Sequence, residues 1–203
     1  ACAAVKYISD SCLLGVGTGS TVNFFIEALI KAGKRLGEVV TTSKQSEELL
    51  RKGGFDPQPL TEAKQPLDVY VDGADEVDPR FNLIKGGGGA LTSEKIVANN
   101  AKKFICIVDE SKLVQKLGKF PLPIEVISSA VPSISNILKN DYNGKPRERE
   151  GFTEHGNRII DVAGLEIESP ENLEGELNQI PGVVTVGLFS KLKPYLCFVG
   201  YDE

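Results

Sequence analysis

The 203-residue chain has no methionine, no tryptophan and a single histidine. That histidine, His155, sits in a polar loop beside glycine, which argues against a Ser-His-Asp triad or a histidine-rich metal site. The four cysteines, Cys2, Cys12, Cys106 and Cys197, lie far apart and form no CxxC pair. They fit reduced thiols in a cytoplasmic protein better than a disulfide framework or a zinc site. No apolar run approaches the roughly 20 residues that a membrane span needs. No charged-then-apolar signal segment opens the chain. There is no long basic run and the net charge is −5, so nucleic acid is not an expected partner. With no methionine even at position 1, neither end is taken as a natural terminus.

What is present is ordinary for a soluble globular protein: 41% hydrophobic and 25% charged residues. The length can bury a full core in one or two domains. One stretch, residues 69–99, departs from the ordinary. An apolar run, Val69-Tyr70-Val71, breaks into Asp72-Gly73-Ala74-Asp75-Glu76. Lys85 follows, then four consecutive glycines, Gly86 to Gly89, then a helix-like segment with Glu94 in its first turn. A turn that only reverses direction needs one or two glycines. Four in a row suggest a backbone that must approach a ligand closely.

Upstream, the apolar run 12–16 ends in Gly17-Thr18-Gly19-Ser20-Thr21 and an amphipathic helix is expected over 22–32. Ser20 and Thr21 are suitable N-cap residues, and a helix start with nearby hydroxyls suits a phosphate. The glycines at 15, 17 and 19 do not meet GxGxxG, and the next apolar run, 39–40, ends without a ribose-binding acid. That favours a monophosphate over a dinucleotide. A further helix is expected over 47–52, ended by Gly53-Gly54, and a buried strand over 104–108 that runs into Asp109-Glu110-Ser111-Lys112. Strands separated by helices suggest a parallel sheet. If the strands are neighbours, the loops 17–21, 72–75 and 109–112 meet at their carboxyl ends, where such sheets bind ligands.

The second half changes character at Phe120-Pro121-Leu122-Pro123, where two prolines interrupt helix and strand alike. Strands are expected over 124–127, 145–150, 158–162 and 183–189, with helices over 131–139 and 170–180. The order β-α-β-β-α-β suggests a small ferredoxin-like α+β domain. Residues 195–200 are expected to return as a last strand of the first domain. The domains expected are therefore 1–119 plus 192–203, a Rossmann-like α/β catalytic domain, and 120–191, the smaller α+β domain.

Asp72, Asp75 and Glu94 with Lys85 and Lys112 make an acid–base set that needs no metal. Moving a proton between adjacent carbons requires one base and a cation or donor that stabilises the enediolate between them. Glu94 is the candidate base. Lys85 and the amides of Gly86 to Gly89 are candidates to hold the developing oxyanion, and Asp72 and Asp75 to handle sugar hydroxyls. A calcium loop is not supported, because the acids at 72, 75, 76 and 78 lack its spacing. These residues alone suggest a sugar- or nucleotide-phosphate site and leave the reaction open.

The blocks GVGTGST at 15–21, YVDGADEVD at 70–78, IKGGGGALTSEKI at 84–96, FICIVDESK at 104–112, LGKFPLPIEVI at 117–127 and IPGVVTVGLF at 180–189 closely resemble type A ribose-5-phosphate isomerase. The resemblance runs in order along essentially the whole chain and is loose only over 128–154. It implies an aldose-ketose isomerase that interconverts ribose 5-phosphate and ribulose 5-phosphate through an enediol(ate), in the non-oxidative pentose phosphate pathway. It implies no metal and no organic cofactor. Glu94 then stands at the proton-transferring glutamate. Thr18-Gly19-Ser20-Thr21, Asp72-Gly73-Ala74-Asp75 and Lys85-Gly86-Gly87-Gly88 stand at three substrate-binding loops. Lys112 stands at a further binding lysine near phosphate, and Asp72 at the residue assisting opening of the furanose ring. The family is homodimeric in most members and tetrameric in some, and a homodimer is expected here. A non-catalytic sugar-phosphate sensor would keep a phosphate loop and lose the base, which Glu94 argues against. An amino-sugar phosphate deaminase would lean on a catalytic histidine, and His155 lies outside the central cluster.

Overall fold

The computed structural model describes residues 1–201. Its strands are β1 (Leu13–Val16), β2 (Glu38–Thr41), β3 (Pro57–Gln58), β4 (Val69–Asp72), β5 (Glu76–Val77), β6 (Leu83–Ile84) and β7 (Phe104–Asp109). The later strands are β8 (Leu122–Val126), β9 (Lys145–Glu148), β10 (Arg158–Ala163), β11 (Val183–Val186), β12 (Leu188–Phe189) and β13 (Leu196–Gly200). The helices are α1 (Cys2–Val5), α2 (Ser20–Lys31), α3 (Lys44–Lys52), α4 (Leu91–Asn99), α5 (Val131–Asn140) and α6 (Pro170–Asn178). The chain forms two compact units. Among the described residues no helix is long and apolar enough to cross a membrane.

The first unit comprises Ala1–Gly73, Ser93–Ser111 and the segment from Pro194 onward. Residues 202–203, the end of the 192–203 segment that the sequence assigns to the first domain, lie outside the described residues. Its six strands run in the order β13-β7-β4-β1-β2-β3, every pair parallel. Successive side chains of a strand point to opposite faces. Leu14 and Val16, Val69 and Val71, and Ile105 and Ile107 accordingly enter one core with Val22, Phe25, Ile26 and Leu29 of α2 and Leu50 of α3. The opposite set, Gly15, Tyr70, Asp72, Phe104 and Cys106, faces the other way. There, a Cβ at Gly15 would lie 2.8 Å from Val97 of α4 and 2.9 Å from the Tyr70 ring. Glycine at 15 therefore lets α4 sit close against β1 and β4.

The second unit comprises Ala74–Thr92 and Lys112–Lys193. Its four-stranded sheet runs β11-β8-β10-β9, all antiparallel, with α5 and α6 as the connecting helices, which is the ferredoxin-like arrangement. Ile134, Leu138 and Leu177 from the helices pack on Ile124, Val126, Ile160 and Val162 from the sheet. Residues 74–92 group here because β5, β6 and β12 form a separate three-stranded sheet.

Three local expectations are corrected. The run 183–189 is not one strand: it divides at Gly187 into β11 and β12, which belong to different sheets. A side chain at 187 would strike Lys85 O at 2.4 Å and Pro123 O at 2.8 Å, so only glycine lets the chain pass between them. Pro123 does not interrupt a strand; it lies inside β8, opposite Asp161, and uses its carbonyl to accept from Gly187 N–H at 2.8 Å. Finally, α2 is capped by Gly19 at φ 110°, with no side-chain cap, so Ser20 and Thr21 are its first helical residues rather than its caps.

Candidate active site

Because β1, β2, β4 and β7 are parallel neighbours, their carboxyl ends fall on one edge of the first unit. Asp72 ends β4 there and is 0% exposed. Its Oδ1 accepts from Thr18 N–H at 3.0 Å and from Gly73 N–H at 2.7 Å. Its Oδ2 accepts from the Tyr70 hydroxyl, two residues back on the same face of β4. The Thr42 hydroxyl neighbours the Tyr70 phenol and partly offsets the rise of its pKa, and Thr42 Oγ1 lies 2.8 Å from Thr18 Oγ1. Thr18, Thr42, Tyr70 and Asp72 thus form a ring of neighbours across the ends of β1, β2 and β4, hydrogen-bonded along three of its sides.

The ring depends on a glycine. A Cβ at Gly17 would sit 1.9 Å from the Asp72 carboxylate. Gly17 N–H is held by Val71 O at 2.8 Å, and Gly17 O accepts from the buried Ser46 hydroxyl at 2.7 Å. Burial pushes the Tyr70 phenol well above its usual pKa, and the charges of Asp72 and Glu94 push it further. Tyr70 therefore stays a neutral donor. Glu94 lies in the first turn of α4 and is 4% exposed. It stands one helical turn before Val97, so both project toward the strand face that carries Tyr70 and Asp72. At the start of α2 the first-turn amides, including those of Ser20 and Thr21, have no acceptor within the helix. They are suited to an anion, with Gly19 leaving open space beside them.

The remaining expected residues belong to the second unit. The Asp75 carboxylate accepts from Gly87 N–H at 2.8 Å, and Asp75 N–H donates to Ile84 O at 2.8 Å. Lys85 is 2% exposed, with its N–H on Gly187 O at 2.8 Å and its ammonium 5.5 Å from the centre of the Phe189 ring. Gly86 takes φ 105°, and a side chain there would meet Leu91 Cβ at 2.9 Å. Gly87 and Gly88 are exposed and Ala74 is half-buried. Lys112 closes the short 3-10 turn that follows β7 and is also half-buried.

Thr18, Gly19, Ser20, Thr21, Asp72, Gly73 and Glu94 therefore come together in one unit, and Ala74, Asp75, Lys85, Gly86, Gly87, Gly88 and Lys112 belong to the other. Supporting residues escaped the sequence reading. Tyr70 could have been found, since period-two alternation puts it on the face of Asp72. Thr42, Arg149 and the fully buried Glu125, which takes Thr92, Thr153 and Asn157, gave no local signal. His155 is exposed in a turn. Among the described residues no group of three or more His, Cys, Asp or Glu side chains is arranged to hold a metal ion.

A family model described as ribose 5-phosphate isomerase A (phosphoriboisomerase A) matches residues 38–203. Ribose-5-phosphate isomerase A of Leptothrix cholodnii is 48% identical over 202 residues, spanning 99% of this chain and 91% of that protein. The crystal structure of ribose 5-phosphate isomerase A from Neisseria gonorrhoeae matches with a TM-score of 0.94 at 46% identity, covering 98% of this chain and 89% of that one. A D-ribose-5-phosphate isomerase in complex with phospho-erythronic acid matches with a TM-score of 0.92 at 42% identity, covering 98% and 91%.

Proposed function

This chain belongs to the ribose 5-phosphate isomerase A family, and we propose that it interconverts D-ribose 5-phosphate and D-ribulose 5-phosphate in the non-oxidative pentose phosphate pathway. The single observation that carries the catalytic assignment is Glu94, buried in the first turn of α4 on the side of the helix that packs toward the strand face of Tyr70 and Asp72.

The sugar enters as a closed furanose. Asp72 takes the proton of the C1 hydroxyl and one is returned to the ring oxygen as the C1–O4 bond breaks, leaving a C1 aldehyde. Glu94 then removes the proton from C2. The electrons move onto the carbonyl oxygen and give an enediolate. Lys85 and the glycine amides stabilise that oxyanion, which is where preorganised donors matter most. Asp75 moves the hydroxyl proton between O2 and O1, and Glu94 returns its proton to C1, leaving a ketone at C2. The amides of Gly19, Ser20 and Thr21 with the Thr18 hydroxyl and Lys112 bind the phosphate and substrate chain. Gly73, Ala74, Gly86, Gly87 and Gly88 line the sugar with backbone rather than side chain. Base, cation and amide donors supply all of this chemistry without a metal or an organic cofactor.

The test is turnover of ribose 5-phosphate with EDTA present, for wild type and Glu94→Gln side by side. Activity confined to wild type is the expected result, because the amide keeps the shape and removes the base. Near wild-type turnover in the variant would remove Glu94 from the mechanism. No turnover in either, with binding intact, would favour the sensor reading. We propose further that the protein is a cytoplasmic homodimer, supported by its four cysteines, none of them in a disulfide, and by its family. Light scattering in solution should return twice the chain mass.

A further inference from the structure

Arg149 lies just beyond edge strand β9, in a stretch of alternating charge that carries no motif. Its donors are nevertheless committed. Nε and Nη2 fork onto Asp161 Oδ2 and Oδ1 at 2.8 and 2.5 Å. Nη1 donates to Gly86 O at 3.1 Å and to Gly87 O at 3.2 Å. Its own amide is tied to Ile159 O at 2.8 Å. A planar fork with five donors can grip a carboxylate and two carbonyls at once; an ammonium cannot.

The glycine run is held from two sides. In a trans peptide the C=O and the N–H point in opposite directions. The peptide that joins Gly86 to Gly87 has its oxygen on Arg149 and its N–H on Asp75. The next peptide has its oxygen on Arg149 as well, so the Gly88 N–H points away from the guanidinium, on an exposed residue. Gly89 N–H returns to Gly86 O at 3.0 Å and closes the turn. Glycine is conformationally permissive, and these bonds narrow the peptide planes it could otherwise adopt.

We propose that Arg149 is a positioning residue for the isomerisation: by holding Gly86 O and Gly87 O it presents the Gly88 N–H to the substrate oxygen that gains charge in the transition state. The proposal rests on the isomerase reading. A donor fixed beforehand costs no reorganisation as charge develops, so the clamp acts on the chemical step more than on substrate capture. The alternative is a cross-strand ion pair that merely stabilises the second unit.

The experiment compares wild type with Arg149→Gln and Arg149→Lys. It measures kcat and KM for ribose 5-phosphate, affinity for a four-carbon aldonate phosphate whose carboxylate mimics the enediolate, affinity for inorganic phosphate, and amide hydrogen exchange over residues 86–90. For Arg149→Gln, kcat should fall about ten-fold or more while KM moves less than about three-fold. Aldonate phosphate should bind more weakly, inorganic phosphate equally well, and exchange over 86–90 should quicken. Arg149→Lys should recover little. Quicker exchange with unchanged kcat, or unchanged exchange in a folded variant, would overturn the proposal. If Arg149→Gln does not fold, Asp161→Asn loosens the same guanidinium and should show the same pattern in weaker form; wild-type kcat and exchange there would equally overturn it. Wild type inert toward ribose 5-phosphate would sink the isomerase reading and the catalytic part of this proposal, while the exchange data would still decide whether the clamp exists.

Discussion

The Tyr70 hydroxyl donates to the Asp72 carboxylate, and both side chains are wholly buried. The two residues share a face of β4, and the bond is one side of a ring completed by Thr42 and Thr18. A buried carboxylate needs donors to remain where it is. Thr18 beyond β1 and Tyr70 and Gly73 of the β4 end supply them, so the position of Asp72 ties the carboxyl ends of β1 and β4 together.

Tyr70→Phe removes one donor from that carboxylate and leaves the packing against Phe104, whose ring centre lies 5.2 Å away. Chemical denaturation should show a loss of about 1–3 kcal/mol. Turnover should fall as well, since Asp72 loses its orientation. Unchanged stability would mean that the ring does not hold Asp72.

Gly17→Ala places a methyl group 1.9 Å from the Asp72 carboxylate, in a ring with no slack. Overpacking of this kind costs about 1–3 kcal/mol. Steady-state kinetics should show a lower kcat with ribose 5-phosphate, with Thr18 and Asp72 forced apart. A variant with normal kcat would show that the carboxylate can move without consequence.

Gly187→Ala meets backbone rather than a flexible side chain, at 2.4 Å from Lys85 O and 2.8 Å from Pro123 O. The passage from β11 to β12 has to open, and the Lys85 N–H loses its acceptor geometry on Gly187 O. The expected result is a lower melting temperature together with a lower kcat, because Lys85 is displaced. A fall in melting temperature alone would separate the crossover from the placement of Lys85.

Cys12 provides a pH dependence. Burial pushes its thiol from 9.0 to about 11, with the Asp68 charge adding to the rise and Lys102 opposing it. The folded thiol keeps its proton where the unfolded one loses it, so the unfolded state binds fewer protons between these values. Stability is therefore fully present below pH 9 and is lost as pH rises toward 11. Denaturation midpoints at pH 8 and pH 10.5 should differ less in Cys12→Val than in wild type. Equal slopes would assign the alkaline loss to other groups, with Tyr70 the first to examine because its shift has the same sign.

Much of the fold was legible because it rests on local periodicity. Strand geometry sorts the apolar runs of residues 13–16, 69–71 and 104–108 onto two faces whatever the rest of the chain does. The β-α-β-β-α-β order of the second unit was legible for the same reason. Legibility failed where a distant neighbour decides. The run 183–189 reads as one strand because its apolar residues satisfy either sheet equally. Ser20 and Thr21 have the chemistry of caps, but the Thr18 amide is drawn onto Asp72 and the turn falls at Gly19.

By itself the sequence determined which chemical groups are available and in what order: a carboxylate in a helix's first turn, acids at a strand end, a lysine before a glycine run, and blocks that mark the family. Only the tertiary structure decided what holds them. The Thr18-Thr42-Tyr70-Asp72 ring joins residues from three separate strand ends, and Arg149 grips glycines 62 and 63 positions away in the chain. Such contacts depend on sheet order and register, which come from burying two cores at once and leave no periodic trace in the chain.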